Sequence, residues 1–253
     1  MTCAIDVNHV YFRYDEFEMH DIKMQLHIGE HKAMVGLNGS GKTTLFRLIL
    51  GLLEPEAGDI YVFDRKLSRD NLWEVRKDIG FLFQNPDDQL FAPTVWEDVA
   101  FGPRNLGLSE EEVEKSVADA LKFVQMSDYT NRPVNQMSYG QAKRVAIAGI
   151  LAMQPKILFL DEPFSGLDFP MIRSVFGVIQ KLREEGISVL FTTHNRFFLE
   201  NWADSVVALK EGRVIFDGSV DRALKNDEVL SQIGDWDSLR RDAKRFRGYG
   251  SDE

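Results

Sequence analysis

Apolar residues along this chain follow two rhythms. Between residues 4 and 35 they alternate roughly with polar ones in the runs AIDVNHVYFRY, IKMQLHI and HKAMVG, with a turn at Gly29-Glu30. That is the period of short strands. TLFRLILGLL then takes helical spacing, and a helix closed by Glu54-Pro55 is expected. Ala57-Gly58 turns into a strand, DIYVF; residues 70–78 read as a polar helix and IGFLF as a buried strand. Residues 85–108, rich in Pro, Asn and Gly, read as loop. Ser109 opens the helix SEEEVEKSVADALKFV with a capping box, and a second helix, GQAKRVAIAGILAM, runs from Gly140 to Met153. ILFL, Ile157 to Leu160, is an unbroken apolar run of the kind that marks a central parallel strand covered on both faces. Residues 170–185 read as a helix, SVLFTT as a strand, 197–203 as a short helix, and SVVALKEGRVIFDG as a hairpin turning at Glu211-Gly212. The tail from Asp221 reads as polar helix. The class expected is α/β.

Composition narrows the picture. The 253 residues are 44% hydrophobic and 11% aromatic, enough for one large domain or two intimate subdomains. A net charge of -10 disfavours nucleic acid as a partner. Cys3 is the one cysteine, so neither an internal disulfide nor a cysteine metal cluster is available, which fits a reducing compartment. The opening MTCAIDVNHVYFRYDE lacks a basic-then-apolar secretory signal, and no window reaches the roughly 18 apolar residues of a membrane span. Any membrane link is expected to come through a partner. Arg240, Arg241, Lys244, Arg245 and Arg247 make the tail locally basic: a solvated helix, or a contact with a partner or anionic lipid.

The chemistry sits in five short stretches. GLNGSGKT matches the phosphate-loop pattern between an apolar strand and a helix. The glycine-rich run Gly36, Leu37, Asn38, Gly39, Ser40 and Gly41 lets successive N–H groups face phosphate oxygens, with the helix dipole behind them. Lys42 adds a full charge at the outer phosphates, Thr43 offers a hydroxyl to Mg²⁺, and Thr44 follows. ILFLDEP ends an apolar strand in two carboxylates that must point apart: Asp161 suits a hydrated Mg²⁺, and Glu162 the attacking water. His194, after SVLFTT, ends a strand expected to lie parallel to and near the one ending at Asp161, within reach of the γ-phosphate. Gln84, after IGFLF, can touch Mg²⁺ or water, although a plain polar strand end explains it as well. MSYGQ opens a helix, and Ser138 is a natural N-cap there.

The order phosphate loop, Gln84, MSYGQ, ILFLDE, SGLD, His194 resembles the nucleotide-binding domain of ABC proteins over residues 4–220. The resemblance implies a P-loop NTPase with a RecA-like, mostly parallel core, an antiparallel β subdomain and an ABC-specific helical subdomain. Boundaries are expected at 1–220 for the domain, about 88–153 for the helical part, and 221–253 for a C-terminal helical extension. ATP and Mg²⁺ are implied, with Thr43, Gln84 and Asp161 toward the metal and Glu162, His194 and Lys42 in catalysis. Tyr14 looks like the aromatic that stacks on adenine, with Tyr11 as rival, and Asp168 like the loop that couples two sites. MSYGQ resembles the signature L-S-G-G-Q, which in that family caps the ATP of a second subunit, here through Ser138, Gly140 and Gln141. Met137 for leucine conserves volume; Tyr139 puts a bulky side chain where glycine is usual. Asn195 stands where an acidic residue is common.

FQNPDDQLFAPTVWEDVAFGPRNLGLSEEEV and RVAIAGILAMQP resemble ATPase subunits of energy-coupling-factor importers, especially the cobalt and nickel branch. That likeness implies a second ATPase subunit, the same chain or a relative, and an integral membrane coupling subunit docking near Gln84 to Gly107. Phe91, Pro93, Trp96 and Phe101 would give it apolar area, and Glu97 and Asp98 would meet a basic helix. The protein would then sit at the cytoplasmic face of the cell membrane, with a metal ion or vitamin as cargo. A soluble ABC ATPase acting on DNA or ribosomes shares the ATP motifs, but would normally carry a coiled-coil insertion or tandem nucleotide domains.

Overall fold

The computed structural model describes residues 3–233; the basic tail residues from Arg240 onward lie outside the described residues. Two sheets organise the chain. The first is antiparallel, with order β2-β1-β4-β5: β1 (Cys3–Tyr14), β2 (Phe17–His27), β4 (Ala57–Val62) and β5 (Arg65–Lys66). The second has order β10-β9-β3-β8-β7-β6, from β3 (His31–Val35), β6 (Ile79–Leu82), β7 (Ile157–Leu160), β8 (Ser188–Thr192), β9 (Ser205–Lys210) and β10 (Arg213–Ser219). Its pairs are parallel except β9 with β10. The expected adjacency of the strands ending at Asp161 and His194 is observed: Leu160 pairs with Phe191.

Strands β3, β7 and β8 are buried along their whole length. Alternation sends their side chains to two cores. Ala33, Val35, Leu158, Leu160, Val189 and Phe191 join one cluster with the helices α3 (Val95–Asn105), α4 (Glu110–Phe123), α5 (Tyr139–Leu151), α6 (Phe169–Glu184) and α7 (Arg196–Trp202). Met34, Ile157, Phe159 and Leu190 join the other, with the antiparallel sheet and helix α1 (Lys42–Ile49). Apolar residues on both faces are the reason ILFL in β7 and VLF in β8 show no period-two pattern.

Some expectations need correcting. Residues 85–108 are not all loop, because α3 forms inside them. Thr94 and Glu97 close a capping box at its start, and Val95, Val99, Ala100 and Pro103 bury one face; this burial outweighs the ladder bond lost at Pro103. Helix α1 ends before Glu54-Pro55, at Gly51 (φ 64°), where Gly51 N–H donates to Leu48 O and Leu52 N–H to Arg47 O, a Schellman closure. Phe63 leaves the strand DIYVF: Phe63 and Asp64, both at positive φ, form the tight turn into β5, which the pattern did not predict. Past α2 (Leu72–Asp78), the described part of the tail holds only two short helices, α8 (Val220–Ala223) and α9 (Asp227–Leu230).

Gly80 sets the distance between β6 and α5. A Cβ there would stand 2.1 Å from Ile150 Cγ2 and 2.9 Å from Leu158 Cδ2. Gly80→Ala is expected to lower the unfolding free energy by about 1–3 kcal/mol, read as a lower urea midpoint. An unchanged midpoint would show that helix and strand have room to spare.

Candidate active site

Four parallel strands deliver the chemical groups to one edge. The phosphate loop follows β3, Gln84 follows β6, Asp161 and Glu162 follow β7, and His194 follows β8. That edge is where open parallel sheets bind ligands. Lys42, Thr43, Thr44, Gln84, Asp161, Glu162 and His194 line one cleft of about 790 Å³, together with Asn38, Gly39 and Gly41.

The loop is built for close approach. A Cβ on Gly36 would lie 2.4 Å from Ser40 Oγ and 2.5 Å from the Leu209 carbonyl, so only glycine fits. Gly41 caps α1 in a left-handed conformation with no side-chain hydrogen bond, which leaves the first N–H groups of α1 open to an anion. Lys42 Nζ donates to the loop's own carbonyls, Gly36 O at 2.6 Å and Leu37 O at 3.2 Å. Burial lowers its pKa, against the pull of Glu162 and Asp161. Ser40 Oγ is buried without a hydrogen bond. A cradle with an uncapped helix start, a half-buried cation and an orphaned hydroxyl matches a polyphosphate.

Thr192 separates the two carboxylates. Its hydroxyl donates to Asp161 Oδ1 at 2.6 Å and accepts from the Glu162 N–H at 2.8 Å. Glu162 stands at φ 44°, in the left-handed region that a non-glycine residue rarely adopts. Burial, then the charge of Asp161, pushes the Glu162 carboxyl up to about 7. Glu162 Oε1 lies 3.3 Å from His194 Nε2 but makes no hydrogen bond of normal geometry. Burial and then Lys42 lower the His194 pKa, favouring neutral imidazole. Gln84 Nε2 donates to Ser165 Oγ at 3.4 Å, which joins that strand end to the SGLD loop.

Thr43, Asp161 and Gln84 bring hard oxygen donors from three elements to the cleft, a set that fits Mg²⁺. Among the described residues no group of three His, Cys, Asp or Glu is placed to hold a metal. An ion here would take its remaining ligands from phosphate oxygens and water.

Other predicted residues lie apart from the cleft. Tyr14 is 65% exposed and does not line it. Phe17, its partner across the β1–β2 hairpin, does line it, and its ring would touch a Cβ on Gly41 at 2.9 Å. Ser138, Gly140 and Gln141 are also outside the cleft: Ser138 and Gln141 close a capping box on α5, and Gly140 is covered by Met171. Asp168 caps α6 by accepting from Met171 N–H at 2.9 Å. Sequence reasoning missed Phe17, Thr192 and Gln232, whose side-chain oxygen accepts from the Leu37 N–H at 3.4 Å. A threonine ending an apolar strand was a visible signal; Gln232 had none.

Beside the cleft runs an apolar groove of about 330 Å³, with Trp73, Phe81, Phe91, Phe101 and Met153 in its wall. Phe91 and Phe101 stack edge to face at 4.7 Å and remain exposed. Asp98, expected to face a basic helix, is buried and accepts two backbone N–H bonds at 2.9 Å, from Phe91 and Ala92. Glu97 is engaged in the Thr94 cap, and Trp96 is half-buried under Arg104. Trp73 and Lys77 join the rim from α2, outside the segment the sequence pointed to.

The ABC transporter family model matches residues 19–165. The energy-coupling factor transporter ATP-binding protein EcfA of Methanothermobacter thermautotrophicus is 44% identical over 83% of this chain and 68% of its own length. The EcfA of Methanosphaera stadtmanae is 41% identical over 92% of this chain and 85% of its own. Among solved structures, cbiO1 from Clostridium perfringens, part of the ABC transporter complex cbiONQ, superposes with a TM-score of 0.83 at 37% identity, covering 90% of this chain and 93% of that one. With the family model over more than half its length and relatives above 40% identity, the chain belongs to the ABC transporter family, as one of its ATP-hydrolysing subunits.

Proposed function

We propose that this chain is the ATPase of an energy-coupling-factor importer, working as half of a head-to-tail pair at the cytoplasmic face of the membrane. One observation carries the reading: a cradle for phosphate, a half-buried carboxylate and an imidazole face the same cleft, while Ser138, Gly140 and Gln141 lie outside it. One chain therefore holds a triphosphate on one side, and a second subunit, a copy or a relative, supplies the other. The names of the EcfA relatives and of the cbiONQ complex support the transport role. The cargo, a cobalt or nickel ion or a vitamin, is selected by a membrane subunit. Among the described residues no helix is long and apolar enough to cross a membrane.

In this mechanism the N–H groups of Gly36 to Gly41 and the start of α1 hold the phosphates, and Lys42 gives up its two carbonyl partners to reach the outer ones. Thr43, Asp161 and Gln84 would hold Mg²⁺, which would supply neutralisation of charge on the phosphate oxygens. Glu162 orients the attacking water and takes its proton, and His194 donates to the γ-phosphate. Phe17 and Tyr14, on one hairpin, flank the adenine side. Closure joins Ser138 of the second subunit to the γ-phosphate, and hydrolysis removes that shared ligand, so the pair reopens. The groove of Trp73, Phe91 and Phe101 receives a helix of the membrane subunit. Gln89, which lines the groove and accepts from the Phe83 N–H at 3.1 Å, links it to the loop at Gln84.

Lys42→Ala is expected to abolish ATP uptake in calorimetry with magnesium; ordinary affinity would remove the phosphate loop from the mechanism. Glu162→Gln should bind ATP and elute as a stable dimer on gel filtration, with turnover lowered by about 10²-fold or more. Wild-type turnover in that variant would take Glu162 out of water activation. Replacing Phe91 and Phe101 together by Ser should release the chain from detergent-solubilised membrane subunits while ATP binding persists; intact co-purification would place the docking face elsewhere.

A further inference from the structure

Two residues of α5 have no part in the chemistry above. Tyr139 stands where the signature usually has glycine, and Lys143 is a fully buried ammonium. They converge on one atom. The Tyr139 hydroxyl donates to the Gln84 carbonyl at 3.2 Å, and Lys143 Nζ donates to the same oxygen at 2.9 Å and to the Glu162 carbonyl at 3.2 Å. A carbonyl oxygen has two lone pairs, so these two donors saturate that of Gln84. The Tyr139 ring also lies 5.6 Å from Lys143 Nζ and packs on Gly166, where a Cβ would meet it at 3.2 Å. The ring is folded back onto its own chain, between the SGLD loop and the end of β6.

We propose that Tyr139 and Lys143 are positioning residues for hydrolysis, tying the first two turns of α5 to the backbone of Gln84 and Glu162 and thereby setting where the Glu162 carboxylate stands. The proposal rests on the ATPase reading and deepens it. A non-glycine residue at φ 44° persists only where its surroundings hold it there. Both sides of Glu162 are held: the N–H by Thr192 Oγ1, and the carbonyl by Lys143. A buried ammonium is costly unless it is fully partnered, and here two carbonyls, an aromatic ring and the nearby charges of Glu162 and Asp161 offset part of the cost of burial. Helix α5 also begins with Ser138. In a head-to-tail pair, an ATP touched by Ser138 in one site is therefore linked, through one turn of helix and one ammonium, to Glu162 of the other.

The test uses the full-length chain with magnesium and ATP, comparing wild type, Tyr139→Phe, Lys143→Met and the double variant. Tyr139→Phe keeps the ring and removes only the donor. It should lower kcat about three- to tenfold, with KM and the calorimetric ATP affinity within about twofold of wild type. Lys143→Met should lower kcat further at unchanged ATP affinity, and the double variant should lose less than the product of the two, because both donors serve one carbonyl. Unchanged kcat in Tyr139→Phe, or a kcat loss matched by an equal loss of ATP affinity, overturns the proposal. Should Lys143→Met fail to fold, Tyr139→Phe decides alone. Wild-type chain that neither binds nor hydrolyses ATP overturns the ATPase reading instead.

Discussion

Burial of β3, β7 and β8 on both faces is the constraint on which this structure depends. Side chains in the middle of these strands have nowhere to go but into two apolar cores, so polar groups are confined to the strand ends: His31, Lys32 and Ser188 at the starts, and the groups of the cleft where the strands stop. The strands run parallel, and their stops fall on one edge. Gly36, Asp161 and Thr193-His194 are brought together there by register, with Gln84 from β6 beside them. The site is a consequence of the sheet before it is a consequence of any single motif.

The electrostatics of that edge favour an anion with several charges. Lys42 is pulled out of water and tied to loop carbonyls, Ser40 holds a hydroxyl with no partner, and α1 starts with no side-chain cap. Glu162 is the opposite case, a carboxyl displaced upward by burial and by Asp161 next to it. Thr192 keeps the two carboxylates from sharing one role, since a single hydroxyl donates to Asp161 while accepting from the backbone of Glu162. A deep cleft with low dielectric strengthens each of these interactions once water leaves.

Much of this was legible in the sequence, for identifiable reasons. The phosphate loop and the Asp161-Glu162 pair are local patterns whose chemistry requires those residues at that spacing. The continuous apolar runs gave away the buried strands. What escaped depends on contacts between distant segments. Helix α3 was hidden by Pro103, and its Thr94–Glu97 capping box is sustained by the burial of one face against distant segments. Asp98 read as a surface charge because its backbone partners at Phe91 and Ala92 belong to a turn no periodicity describes. Trp73 joins the groove of Phe91 and Phe101 from α2, and Phe17 reaches the phosphate loop from another sheet.

Tyr139 shows how a departure from a motif can be absorbed. Read along the chain, a tyrosine at that place is a bulky side chain where the signature usually has glycine. Folded, its ring lies against Gly166 and its hydroxyl donates to the Gln84 carbonyl. Its partner Lys143 is fixed by backbone oxygens, and backbone oxygens move only when whole segments move. The groove wall, Gln89, the loop at Gln84, the start of α5 and the backbone of Glu162 are consequently joined by direct hydrogen bonds and packing. A displacement at the groove of Phe91 and Phe101 has a short contiguous path to Glu162, and coupling of this kind needs a bistable contact at each end and no large motion between.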